Sequence, residues 1–164
     1  MSDSVMSDDS NHVRPHILVI EARFYEDLAD ALYEGAAKSL DAGGVTHERI
    51  SVPGVFEIPA VIRMAVRSMD FFAGRRRFDG YVALGCVIRG ETTHYDYVCS
   101  ESARKLQDLA CEHTLALGYG IITCENAEQA WARAAVDKKN KGGDAAEACL
   151  AMIDVKRRFH LFPR

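Results

Sequence analysis

The sequence predicts an α/β fold: a three-layer sandwich with a four-stranded, mostly parallel sheet covered by helices on both faces. Three observations predict it. From Pro15 onward, short apolar runs alternate with longer segments of helical period. The best-defined runs are apolar on both faces, as strands buried between two layers are. Each run is followed by a helical segment, the order that parallel strands with crossover connections require.

The elements follow in order. His16-Ile17-Leu18-Val19-Ile20 reads as the first strand. Leu28, Leu32, Ala36 and Leu40 recur every four residues as one helical stripe, closed by Gly43-Gly44. Val45 to Val52 is more polar, with Thr46, Glu48, Ile50 and Val52 on one face, which places it at a sheet edge. Pro53-Gly54 ends it. Ile58, Ile62, Ala65 and Met69 form the second stripe, with Pro59 tolerable only in that helix's first turn. Tyr81 to Leu84, running on through Ile88, is the third strand. Val98, Leu106, Leu109, Ala110 and His113 mark the inner side of the third helix. Ala116 to Thr123 is the fourth strand. Ala127, Ala130, Trp131 and Ala134 then mark a short helix, and Ala145, Ala148, Met152, Val155 and Phe159 a final one.

At 164 residues, 48% hydrophobic and 27% charged, the chain fits one globular domain, read here as residues 15–164. Residues 1–14, acidic and serine-rich over Met1 to Asn11, read as a disordered tail without the regions of a signal peptide. A net charge of −4 argues against a nucleic-acid partner. Arg75-Arg76-Arg77 reads as a solvated connection rather than a basic patch. No apolar run approaches the roughly 20 residues of a membrane span. Five cysteines without a C-x-x-C pair suit reduced thiols in a cytoplasmic protein. No histidine spacing suggests a metal site.

Parallel α/β sheets bind ligands at the carboxyl ends of their strands. Those ends carry Glu21-Ala22-Arg23-Phe24-Tyr25, Pro53-Gly54-Val55-Phe56-Glu57 and Arg89-Gly90-Glu91-Thr92-Thr93-His94-Tyr95. Aromatics, a carboxylate, hydroxyls and a histidine thus converge on one rim, a site for a flat, polar ligand. The Gly90-Glu91-Thr92-Thr93 turn opens a helix, with Thr93 and Asp96 at capping-box spacing. Its backbone N–H groups suit a phosphate, although neither a Walker A nor a dinucleotide glycine pattern is present. His94 falls in that helix's first turn. The dipole disfavours a cation there, and a neutral imidazole passes protons both ways near pH 7. Glu57 would cap its own helix or accept hydrogen bonds from a polyol. Phe24 and Phe56 would be core, or stack on a heteroaromatic ring. Arg133 and Lys141 read as helix-end cations, and His113 as a core residue.

Arg23-Phe24, Pro53 to Pro59, Gly85 to Val98, Glu125 to Ala130 and Asn140-Lys141-Gly142 resemble the 6,7-dimethyl-8-ribityllumazine synthase family in order and spacing. The resemblance covers about residues 15–160 and implies flavodoxin-like topology. It implies a transferase of riboflavin biosynthesis that condenses 5-amino-6-ribitylaminouracil with 3,4-dihydroxy-2-butanone 4-phosphate, without metal or organic cofactor. By resemblance, Phe24 stacks on the pyrimidine, and Val55, Phe56 and Glu57 hold the ribityl chain. Cys86, Val87 and Ile88 line the pyrimidine pocket, Glu91, Thr92 and Arg133 bind phosphate, and His94 transfers protons. Tyr119 and Lys141 match further pocket positions which, with Arg133, come from a neighbouring subunit of a homopentamer.

The chain departs from the family pattern at Tyr25, Cys86, Glu91, Tyr119 and Asp137. These changes bear on affinity and turnover more than on reaction type. The linker Ala135 to Gly142, with no glycine before its end, has little predicted access to positive φ, which favours a free ring over a larger shell. Two other readings stand beside the enzyme. One is a riboflavin- or pteridine-binding scaffold with little turnover. The other is a flavodoxin-like electron carrier, against which Glu21 to Tyr25 lacks a hydroxyl-rich phosphate cradle.

Overall fold

A computed structural model describes residues 13–71 and 77–163. The chain runs β1 (His16–Ala22), α1 (Glu26–Ala42), β2 (Thr46–Val52), α2 (Ile58–Ser68), β3 (Gly80–Ile88), α3 (His94–His113), β4 (Leu117–Cys124), α4 (Ala127–Ala134) and α5 (Lys141–Arg158). Single 3₁₀ turns at Val55–Glu57 and Met69–Phe71 flank α2. The sheet order is β2-β1-β3-β4 and every pairing is parallel, so the fold is the three-layer, flavodoxin-like sandwich expected from the sequence.

Strand periodicity sorts the core into two layers. Ile17, Val19, Val82 and Leu84 face α1, α4 and α5, among Leu32, Ala130 and Ile153. Leu18, Ile20, Tyr81 and Ala83 face α2 and α3, among Ile58, Ile62, Val98 and Leu106. The register runs His16↔Thr46 to Ala22↔Val52 on one side of β1 and Ile17↔Gly80 to Glu21↔Leu84 on the other. No residue of β2 is fully buried, which confirms it as an edge strand. Gly44 ends α1 in the left-handed conformation, and Pro59 sits in the first turn of α2, as expected.

Several expectations are corrected. β1 continues through Glu21-Ala22, so Glu21 is not a rim residue but a buried one. The buried face of α5 carries Ala145, Ala146, Cys149 and Ile153, while Ala148, Met152 and Phe159 are exposed. The true face mixes small residues and a cysteine, and period alone does not separate it from the stripe of larger side chains beside it. Trp131 is exposed and His113 only half-buried. Thr93 makes no side-chain cap because its backbone is already helical; the N–H of His94 instead meets Thr92 Oγ1 at 3.3 Å. Asn140 adopts φ 46° in the linker, where glycine-free sequence predicted little positive φ, because asparagine tolerates this region and its Oδ1 accepts the Gly143 N–H at 3.3 Å. Residues 1–12, most of the expected tail, and Arg75 and Arg76 lie outside the described residues. Arg77 pairs with Glu48 at 3.0 Å and stacks over Phe78.

Helix α5 approaches the rest of the fold at backbone distance. A side-chain carbon at Gly142 would strike the Leu32 carbonyl of α1, and one at Gly118 would strike the Ala145 carbonyl. Neither neighbour is a side chain that can swing aside. Gly118→Ala is therefore expected to prise α5 from β4 and to destabilise the fold by about 1–3 kcal/mol. Thermal unfolding at fixed protein concentration checks this; an unchanged midpoint would contradict the close packing.

Candidate active site

The carboxyl ends of β1, β2 and β3 open into a cavity of about 590 Å³. The β1–α1 loop contributes Phe24 and Tyr25, and the 3₁₀ turn after β2 contributes Val55, Phe56 and Glu57. Cys86, Val87 and Ile88 form its floor at the end of β3, and His94, Tyr97 and Val98 form the wall supplied by α3. Eight of the residues singled out in the sequence thus meet in one place. Phe24, Phe56 and Tyr97 are 73%, 59% and 66% exposed around its mouth. Three large aromatic rings left open to water around one concavity mark a binding site for a planar ligand.

Local sequence explains the placement. His94, Tyr97 and Val98 share one face of α3's first turns because residues three and four apart on a helix are neighbours. Tyr97 and Val98 were not foreseen as lining residues, yet their spacing from His94 was the signal. Tyr25 packs edge-to-face on Phe24 with ring centroids 4.9 Å apart, which steadies an otherwise exposed ring. The Glu57 carboxylate accepts the Gly54 N–H at 3.0 Å, tying the turn closed beside the cavity. Arg89 clamps the Gly90–Thr93 turn: Nε donates to Glu125 at 2.9 Å, Nη2 lies 3.4 Å from Asp96, and the guanidinium stacks on Tyr95. Two donors at the start of α3 are engaged by that turn, the His94 N–H with Thr92 and the Asp96 N–H with the Thr93 carbonyl.

The remaining expected site residues do not line the cavity within one chain. Glu91 and Thr92 are exposed on the turn before α3. Tyr119 lies on β4, in a separate groove with Leu106, Leu117 and Met152. Arg133 donates to the Gln129 carbonyl on its own helix at 3.0 Å, and Lys141 pairs with Asp144 at 2.8 Å. Among the described residues, no three His, Cys, Asp or Glu side chains are placed to hold a metal ion.

Comparison with known proteins shows the family. Residues 14–157 match the family model described as 6,7-dimethyl-8-ribityllumazine synthase. The chain is 57% identical over 143 residues to 6,7-dimethyl-8-ribityllumazine synthase 1 of Rhizobium meliloti, covering 87% of this chain and 92% of that protein. It is 53% identical over 145 residues to the synthase of Agrobacterium fabrum, covering 88% and 97%, and 52% identical over 146 residues to that of Bartonella tribocorum, covering 89% and 93%.

Burial, reinforced by the Cys124 and Cys99 thiols, pushes the Cys86 thiol on the cavity floor up to about 12. Burial likewise raises Cys149 in the core to about 12. Both thiols therefore stay protonated at pH 8, and the thiol is a far weaker nucleophile than the thiolate. Iodoacetamide at pH 8 is expected to leave Cys86 and Cys149 unmodified in the native protein and to label both in urea. Mass spectrometry reads the outcome; native labelling of Cys86 at its denatured rate would place a reactive nucleophile in the cavity.

Proposed function

The chain belongs to the 6,7-dimethyl-8-ribityllumazine synthase family, and from that premise we propose that it condenses 5-amino-6-ribitylaminouracil with 3,4-dihydroxy-2-butanone 4-phosphate. The products are 6,7-dimethyl-8-ribityllumazine, phosphate and water, in the penultimate step of riboflavin biosynthesis. The observation that carries this reading is the cavity itself: exposed aromatics at the mouth, Glu57 on one side and His94 on the other. Phe24 stacks on the pyrimidine, whose edge meets Cys86, Val87 and Ile88. Val55, Phe56 and Glu57 hold the ribityl chain, with Glu57 accepting hydroxyl hydrogen bonds. The phosphate lies against Glu91 and Thr92 at the start of α3, where the helix dipole favours an anion. The Glu91 side chain is exposed, so its backbone can serve an anion while its charge remains in water.

Imine formation, loss of phosphate and ring closure all require protons to move but no protein nucleophile. His94, next to the phosphate turn, carries them. Holding two reactive substrates in register supplies much of the remaining acceleration. An assay with both substrates, following lumazine absorbance, tests the reading, and absence of product would refute it. His94→Ala is expected to lower turnover about 100-fold while leaving pyrimidine affinity near wild type. Unchanged turnover in the folded variant would remove His94 from the mechanism.

The site is completed between subunits. Tyr119, Arg133 and Lys141 do not line the cavity of their own chain, which leaves them for a neighbouring copy to supply, and the family resemblance implies a ring of five. A guanidinium such as Arg133 recognises phosphate oxygens in pairs. No helix among the described residues is long and apolar enough to cross a membrane, and the five cysteines are unpaired. Residues 15–164 are read as one catalytic domain, and cysteines without disulfides suit the reducing cytoplasm. Light scattering at micromolar protein is expected to give five times the 18.2 kDa of one chain. Rings refolded from mixed His94→Ala and Arg133→Ala chains are expected to recover activity that neither variant has alone. A monomer, or mixing without recovery, would defeat the shared site.

A further inference from the structure

Strand β1 is apolar along its length beyond His16 except at Glu21, and Glu21 is fully buried. Its carboxylate collects four donors. Oε1 accepts from Arg49 Nε at 2.9 Å, Ser51 Oγ at 2.7 Å and Arg23 Nη1 at 3.1 Å, and Oε2 from Arg49 Nη2 at 2.9 Å. Arg49 and Ser51 lie on β2, and Arg49 stacks on Tyr33 of α1 with 3.8 Å to the ring centroid. Arg23 also reaches Asp30 of α1 at 2.9 Å, and its backbone N–H meets the Val52 carbonyl at 3.0 Å. One buried group therefore joins the ends of β1 and β2 to the flank of α1.

Two chain segments leave this cluster, and both enter the cavity. Phe24 follows Arg23 directly, and Gly54-Val55 lies three residues beyond Ser51. Phe24 is largely exposed and packs edge-to-face on Tyr25, its neighbour in the same loop, so its direction depends on the backbone that carries both rings. Buried ion pairs of this kind add little net stability over apolar residues of similar volume. What the cluster supplies instead is geometry at the point where the rim begins.

We propose that Glu21 is a positioning residue for the pyrimidine: by gripping Arg23, Arg49 and Ser51 it aims the Phe24 ring across the cavity mouth. The inference rests on the reading of Phe24 as the stacking ring. Glu21→Gln keeps the side chain's size but removes the charge that the two guanidinium groups hold. Steady-state kinetics on the intact protein are expected to show KM for the pyrimidine raised about tenfold, near the upper end of what an aromatic stack contributes. KM for the phosphorylated ketone and kcat should stay within about twofold. In a Phe24→Ala background the same substitution should add less than about twofold, because its effect passes through that ring. A merely structural role would alter both KM values alike, or act equally with and without Phe24, and either result overturns the proposal. Should Glu21→Gln fail to fold, Ser51→Ala removes one donor at lower risk and is expected to show the same asymmetry at about threefold; equal KM changes, or none, overturn it. Absence of wild-type turnover would refute the reaction, and calorimetric titration of the pyrimidine into wild type and variant would still decide the role of Glu21.

Discussion

Parallel pairing of all four strands is the constraint from which the rest follows. It sends every carboxyl end to one edge of the sheet, and it requires both faces to be covered, because each return crossover lays a helix on one of them. The core accordingly divides into two apolar layers by the alternation of β1 and β3. The segments at the carboxyl edge then gather Phe24, Phe56, Glu57 and His94 around one cavity.

Charge is distributed in service of that edge. The Glu21 cluster fastens β1 to β2, and Arg89 fastens the end of β3 to Glu125 beyond β4 and to Asp96 on α3. Between these two clamps the aromatic rings stand in water, where a ligand can displace it. The opposite layer is organised by backbone contact instead. Gly142 and Gly118 let α5 settle against α1 and β4, and Asn140 takes the strained turn that starts it. The sheet thus holds a binding edge on rigid supports, while Tyr119, Arg133 and Lys141 lie away from the cavity that their own chain forms.

Much of the site was legible because its residues are close in sequence. The segments around Phe24, Glu57 and His94 each place their side chains through local turn geometry, and strand ends are easily found. Tyr97 was missed although the helical period from His94 pointed to it. The stripe through Ala145, Ala148, Met152 and Phe159 keeps helical period as well as the buried Ala145, Ala146, Cys149 and Ile153 do, so period does not separate the two faces of α5. The Thr93 cap was expected from spacing, but spacing does not say whether the first residue has left the helical region, as a cap must.

Periodicity and turn residues alone determined the element order, the edge position of β2 and the rim on which the chemistry gathers, because those depend on neighbours within a few residues. Only the tertiary structure decided that Glu21 is buried and held by Arg49 and Ser51, some 30 positions along the chain. It also decided which face of α5 is inside, and that Arg133 stays out of its own cavity. Those outcomes are set by contacts between segments distant in sequence, and a local pattern carries no record of the partner it will meet.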